Sequence, residues 1–369
     1  MRAPRCRSTL IRCWIAALAC LVGSKSVALS EDLDGRYLYM STPDGAQKEG
    51  RAEGAGILVF DVDDGHRLVR RIDIPIFKEG LRGFTANAKS HCVYYSTTNR
   101  RLGCFDVEKE QKVWEKTYPA GCDRSSITPD GTKIYVPTGW WYSGDDAGFL
   151  VVDARTGKLL ERITVGPQAH NSITSLDGRH AYLGTTTTLT IFDAKTNAIV
   201  GQIKDVGESG VFPYTVTSSN STAYVCLGRH VGFDVVDLEK RKRLHRVLAG
   251  DAPINHRTHG AGLTPDESEL WVSDQQGRKL FIFDATKMPP TPKGHVELSQ
   301  GGHGWVCFSL DGKYAWCHTP DVFDVKTRKR VAVFRDRSGK PVSSSKFIEV
   351  HFEKGKVVRV GNEFGLGRK

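Results

Sequence analysis

The sequence has no hydrophobic stretch near its start that could cross a bilayer. The apolar run Trp14–Val22 is nine residues long, against the roughly 20 helical residues that a span requires. Acidic residues are missing too: none stands before Glu31. What is there is a basic leader (Arg2, Arg5, Arg7 and Arg12), then the apolar run, then Ser26-Val27-Ala28 with small residues at the −3 and −1 positions of a cleavage site. This pattern predicts a signal peptide over residues 1–28 and an exported protein, periplasmic or secreted. Cys20 offers a lipid-anchored alternative, ranked second because Ala17 rather than Leu stands three residues before it.

No block of Lys or Arg stands out, which argues against a nucleic-acid footprint. Removing residues 1–28 takes away five Lys/Arg and no acid, so the formal charge falls from +10 to +5. That mild excess suits a small anionic ligand, and a solvated surface explains it equally. There is no Cys-x-x-Cys-His, the attachment motif of a c-type haem. There is no linker or low-complexity tract either, so residues 29–369 read as one domain despite their length. Nine cysteines become six after cleavage: Cys92, Cys104, Cys122, Cys226, Cys307 and Cys317. Export would permit disulfides. Several of the six lie inside apolar strands, where buried free thiols are the simpler expectation. The pairing stays open.

Against these absences stands a phrase that recurs, a hydrophobic pair closing on an aspartate. It reads Val59-Phe60-Asp61, Cys104-Phe105-Asp106, Val151-Val152-Asp153, Ile191-Phe192-Asp193, Val235-Val236-Asp237, Ile282-Phe283-Asp284 and Val322-Phe323-Asp324. The aspartates are 45, 47, 40, 44, 47 and 40 residues apart. Periods of roughly 40–50 residues built from short β-runs mark propellers. Asp-Gly turns at Asp130-Gly131, Asp177-Gly178 and Asp311-Gly312 separate alternating runs such as Lys133–Val136, as hairpins do. The fold class is therefore all-β, a seven-bladed β-propeller whose strands run A to D outward from the channel. The first blade has no strand A of its own. Lys346–Val350 alternates like one, with Lys356–Val360 as a further strand. The ring is expected to close by pairing of the C-terminal strand with the N-terminal blade, which removes free sheet edges. The repeated aspartates are scaffold, since one residue at one blade position in every blade is not a site.

The phrase Pro129-Asp130-Gly131, Lys133, Ile134-Tyr135-Val136, followed by Val151-Val152-Asp153 and Thr156-Gly157-Lys158, resembles the YVTN-type repeats of exported bacterial propellers and the lactonase-like propellers. The resemblance covers nearly all of the mature chain. It implies the fold firmly and the function only weakly, because such propellers include enzymes and binding proteins alike.

In a propeller the D–A and B–C connections share one face, around the channel mouth. Counting back from each A–B turn places Arg82, Asp123, His170, Phe212, His259 and Gly304 at the mouth end of successive A strands, with His303 beside the last. Three imidazoles at equivalent positions, His170, His259 and His303, could hold a catalytic divalent metal, with Zn, Mn and Cu all open. Arg82 and Arg124 would clamp an anionic group, with Asp123 and Asn171 lining the same mouth. The long B–C connection 139–146 brings Trp140 and Trp141 as a platform for sugar rings. His256, Tyr142 and Tyr214 are candidate general acids or bases. Water-satisfying histidines and tryptophans that merely cover a neighbouring blade are the plain alternatives. The expectation is a metal-dependent lyase or lactonase acting on an anionic sugar or similar small carboxylate. It is similar in residue type to propeller lyases that use metal-bound histidines at the channel mouth. The alternative is a non-catalytic propeller that binds a glycan or a protein partner. A redox propeller with copper or a quinone finds little support.

Overall fold

A computed structural model describes residues 33–41, 56–74, 80–97, 100–211, 213–344 and 346–369. The expected signal peptide, its cleavage site, Cys20 and Phe212 lie outside the described residues. Every sheet is antiparallel, and there are seven of them, six with four strands and one with five. They make a seven-bladed propeller with blades at 81–117, 126–164, 172–203, 214–248, 258–297 and 306–333, and a composite first blade. In the fourth blade the strands are Ser172–Thr174, His180–Gly184, Leu189–Asp193 and Ile199–Ile203, paired in chain order from A to D. The inner three are buried apart from their end residues; the outermost alternates between buried and exposed. This is the pattern of sheets that pack face to face around a ring, with only the outer strand wetted.

Turn chemistry builds each blade locally. At an A–B turn, the Ser175 hydroxyl donates to Asp177 at 2.7 Å, Asp177 accepts the Arg179 N–H, and Gly178 takes the left-handed conformation (φ +72°) that the turn requires. Thr128–Asp130, Thr264–Asp266 and Ser309–Asp311 repeat the hydroxyl-to-carboxylate contact. The seven repeated aspartates close the C–D turns. Each accepts backbone N–H groups two or three residues on, as Asp193 does from Lys195 and Thr196 and Asp61 from Asp63 and Asp64. The hydrophobic pair before each aspartate also has a structural role. In every blade the C–D register shifts between the two members of that pair, for instance at Val151/Val152 and Ile191/Phe192, so the outer strand carries a β-bulge there.

The ring closes as the sequence pattern suggests. Phe347–Glu353 pairs antiparallel with Gly35–Ser41, with Tyr37 opposite Val350. Lys356–Val360 pairs with the other edge of Phe347–Glu353, the side toward the channel. The last nine residues, 361–369, have no counterpart in the repeat and run through the channel. The Gly365 carbonyl accepts from the Thr215 hydroxyl (2.7 Å) and the Leu263 N–H (2.8 Å), and the Arg368 N–H donates to the Pro265 carbonyl. Phe364 and Leu366 join the core cluster of Ile173, Tyr214 and Trp305. Gly365 sits at φ +56°, and a Cβ there would come within 2.7 Å of the Gly262 Cα, so only glycine passes.

The six described cysteines are buried, and none forms a disulfide. Among the described residues no helix is long and apolar enough to cross a membrane.

Candidate functional site

The inner strands of the third and fourth blades pair directly at the mouth: the Arg124 N–H donates to the His170 carbonyl and the Ser172 N–H to the Arg124 carbonyl. That pairing fixes Asp123, Arg124 and His170 side by side. Asp123 is fully buried. Its carboxylate meets His170 Nδ1 at 3.0 Å, Arg124 Nη1 at 3.3 Å and Arg82 Nη1 at 3.9 Å, and accepts the Trp140 N–H at 3.2 Å. Burial alone would raise this carboxyl. His170, Arg124 and Arg82 outweigh it and hold Asp123 well below the usual carboxylate range. His170 goes the other way. Burial pushes it down against the pull of Asp123, so its neutral ring keeps its proton on Nδ1 for the carboxylate. The other nitrogen, Nε2, lies 3.2 Å from Arg124 Nη1, which donates to it.

Beside this group stand His259 and His303. Their rings stack, with centres 3.6 Å apart and a tilt of 36°. His259 is buried, and His303 keeps contact with solvent. His259 is held well below the ordinary imidazole range by burial, by His303 and by Arg124. His303 is pushed the same way by its crowding and by Arg124 and Lys346. Both imidazoles are neutral near pH 7.

The floor is the Trp305 indole. The Arg124 guanidinium lies 4.2 Å from its ring centre and the Lys346 ammonium 5.5 Å, contacts in which the ring face attracts the cation. Phe364 packs against the same indole with centres 6.3 Å apart. Glu363 is buried and accepts the Phe84 N–H at 3.4 Å. Burial raises its carboxyl to about 8, only partly opposed by Lys346 and Arg124. It therefore carries a proton at pH 7, and Asp123 is the ionised acid among three cations.

The expected residues divide clearly. Arg82, Asp123, Arg124, His170, His259 and His303 come together. Asn171 lies beside them, fully buried, and neither atom of its carboxamide has a hydrogen-bond partner among the described residues. Trp140 packs its ring on His170 with centres 5.5 Å apart and so walls the site. Trp141 is 82% exposed at the rim. It lines, with Arg82 and Tyr142, a cleft of about 190 Å³. The Tyr142 hydroxyl donates to Asp146 at 2.5 Å.

Two of the expected acids or bases are engaged elsewhere. Tyr214 is fully buried, its hydroxyl 3.5 Å from the Asn171 carbonyl and its ionisation pushed far up by burial. It packs between blades and cannot exchange protons with a ligand. His256 is held by Asp274 at 2.7 Å. Lys346, Trp305 and Glu363 were not singled out from the sequence. Lys346 precedes the closing A strand, so extending the mouth-position count to that strand would have found it. Trp305 stands two residues after His303. Glu363 lies in a segment with no repeat, and nothing in the pattern marks it.

The metal-ligand role is not supported by this placement. Two imidazoles binding one ion tetrahedrally at about 2.0 Å would hold their ring centres on the order of 5 Å apart, whereas His259 and His303 stack more closely. His170 has one nitrogen on Asp123 and the other on Arg124. Among the described residues no group of three or more His, Cys, Asp or Glu side chains is placed to hold a metal ion.

No protein-family profile and no curated protein matches the chain. Solved structures do share its shape. Hydrazine synthase of Kuenenia stuttgartiensis superposes with a TM-score of 0.61 at 12% identity, over 76% of this chain and 90% of that one. The dihydro-heme d1 dehydrogenase NirN, solved in complex with DHE, gives 0.55 at 14% identity, over 89% of this chain and 75% of that one. At these identities the likeness establishes the propeller fold that this chain shares with two enzymes.

Proposed function

We propose that the channel mouth binds a small carboxylate-bearing ligand, such as a sugar acid, and that the chain acts on it by acid–base chemistry as a lyase or lactonase. The observation that carries this is the pair of cations Arg124 and Lys346 beside two stacked imidazoles that stay neutral, with Arg82 joining them at Asp123. A carboxylate is the natural partner for such cations. A neutral imidazole beside it can accept a proton from a carbon next to the carboxylate, or from a water attacking a ring ester. His303, open to solvent, would make that transfer once the ligand's carboxylate offsets the Arg124 and Lys346 charges that disfavour a protonated ring. Asp123 fixes His170, which in turn orients Arg124. An exported setting, read from residues 1–28, belongs to the same proposal, and the two enzymes of similar fold are compatible with it.

Trp141 favours a second possibility, a propeller that binds a glycan without reacting with it, since an indole this exposed suits a sugar face. One experiment separates the two. The purified protein is incubated with a panel of hexuronates, oligouronates and aldonolactones. Binding is followed by calorimetry, and turnover by ultraviolet absorbance of unsaturated products and by acid release. Turnover lost in His303→Ala, with binding lost in Arg124→Gln, is the expected result. Binding without turnover leaves the glycan-binding propeller. Binding unaffected by Arg124→Gln would sink the mouth as the site.

A further inference from the structure

The opposite face of the ring holds a cavity of about 430 Å³ between the A–B turns of blades two to four and the segment that fills the channel. Its walls mix apolar side chains, Ile127, Ile173 and Leu366 among them, with polar ones such as Asn87 and Ser126, and it is lined by three cations, Lys89, Arg359 and Arg368, and no acid. Arg368 is the unusual group. Both terminal nitrogens of its guanidinium are buried and have no hydrogen-bond partner among the described residues. Glu349, the carboxylate that acts on it electrostatically, makes its own hydrogen bonds to the His351 ring at 2.7 Å and the Leu310 N–H at 2.6 Å. A buried guanidinium is costly unless it is paired, and its fork matches the two oxygens of a carboxylate or phosphate.

We propose that this cavity is a second ligand site, which takes a small organic oxyanion, with Arg368 binding the charged end, Lys89 and Arg359 at the entrance, and the apolar walls against the carbon body. The chain itself separates it from the mouth: Phe364 and Leu366 line this cavity while Phe364 packs on Trp305, the floor of the other site. The proposal does not depend on what the mouth binds.

The test titrates the purified protein with D-glucuronate and, separately, with glucose 1-phosphate, by calorimetry at low salt; the two arms tell carboxylate from phosphate. Arg368→Gln is expected to weaken one binding event at least about tenfold, the usual loss when a charged hydrogen-bond partner is removed. Arg124→Gln leaves that event in place. If Arg368→Gln does not fold, the exposed pair Lys89→Gln with Arg359→Gln carries the same test, with several-fold weakening expected. Binding of neither probe at millimolar concentration, or binding that survives these changes and disappears in Arg124→Gln, overturns the second site.

Discussion

Glu363→Gln should flatten the stability of this protein between about pH 5 and 8. In the folded chain burial raises the Glu363 carboxyl from 4.5 to about 8. A group whose folded value is raised contributes stability that is fully present below its unfolded value and is lost as pH rises through the folded one. The wild-type protein therefore gives up stability from about pH 5 to about pH 8. The full difference, at 1.36 kcal/mol for each pH unit, sets an upper limit of about 5 kcal/mol. Relaxation of the carboxylate toward Lys346 and Arg124 would lower it. At roughly 2 °C per kcal/mol for a domain of this size, the melting temperature should drop by up to about 10 °C. Glutamine keeps the carbonyl that accepts the Phe84 N–H and cannot ionise. The assay is thermal melting of both proteins across pH 5 to 9, read as the difference between them, so that titrations common to both cancel. Wild type should be the less stable of the two at pH 9, with the gap closing toward pH 5. Parallel curves would refute the reasoning, because they would mean that Glu363 is not held neutral by its burial.

The same packing sets two more expectations. Phe364→Ala should cost about 3–4 kcal/mol of stability, as large-to-small changes in a core do, measured by urea unfolding; a loss below about 1 kcal/mol would mean that the segment does not fill the channel. His66 and His318 are each held near 4 by burial. Depressed bases contribute stability above their unfolded value and lose it below, so acid should destabilise the fold progressively from about pH 6.5 to about 4, by up to about 3 kcal/mol for each histidine. The His318→Gln variant should lose less over that range, and an identical acid profile would count against a neutral His318.

The fold was legible because its devices are local. An aspartate that caps a turn does so through its own next few residues, so Asp193 looks the same in sequence as in space. The mouth residues were legible at one remove, since strand A positions repeat with the blades and Arg82, Asp123, His170 and His259 fall at equivalent ends. What failed were contacts between elements with no repeat. Tyr214 stands at the mouth end of its strand, yet its side chain goes between blades, because successive side chains on a strand point to opposite faces. His256 shares a loop with His259, and Asp274, from another strand of its blade, claims it. The stacking of His259 on His303 depends on the angle between two blades, which no spacing encodes. Glu363 and Arg368 belong to a segment whose path through the channel is set by Gly365 and the backbone groups it meets.

The bulge in each outer strand bears on how these rings meet one another. Ring closure hides the inner edges, but seven D strands still face outward, each with backbone groups that another molecule's strand could pair with. In each blade one D-strand residue has no partner on strand C: Val69, Val113, Leu160, Val200, Leu244, Lys293 and Val331. Val113, Leu160, Val200 and Val331 are among the most exposed apolar side chains described. A flat outer edge bearing these residues would be a template for fibrous stacking. Kinked at one point per blade, it offers a neighbouring strand at most four residues in register. The phrase that spells out the propeller in the sequence thus also shortens the straight edge that one propeller can present to the next.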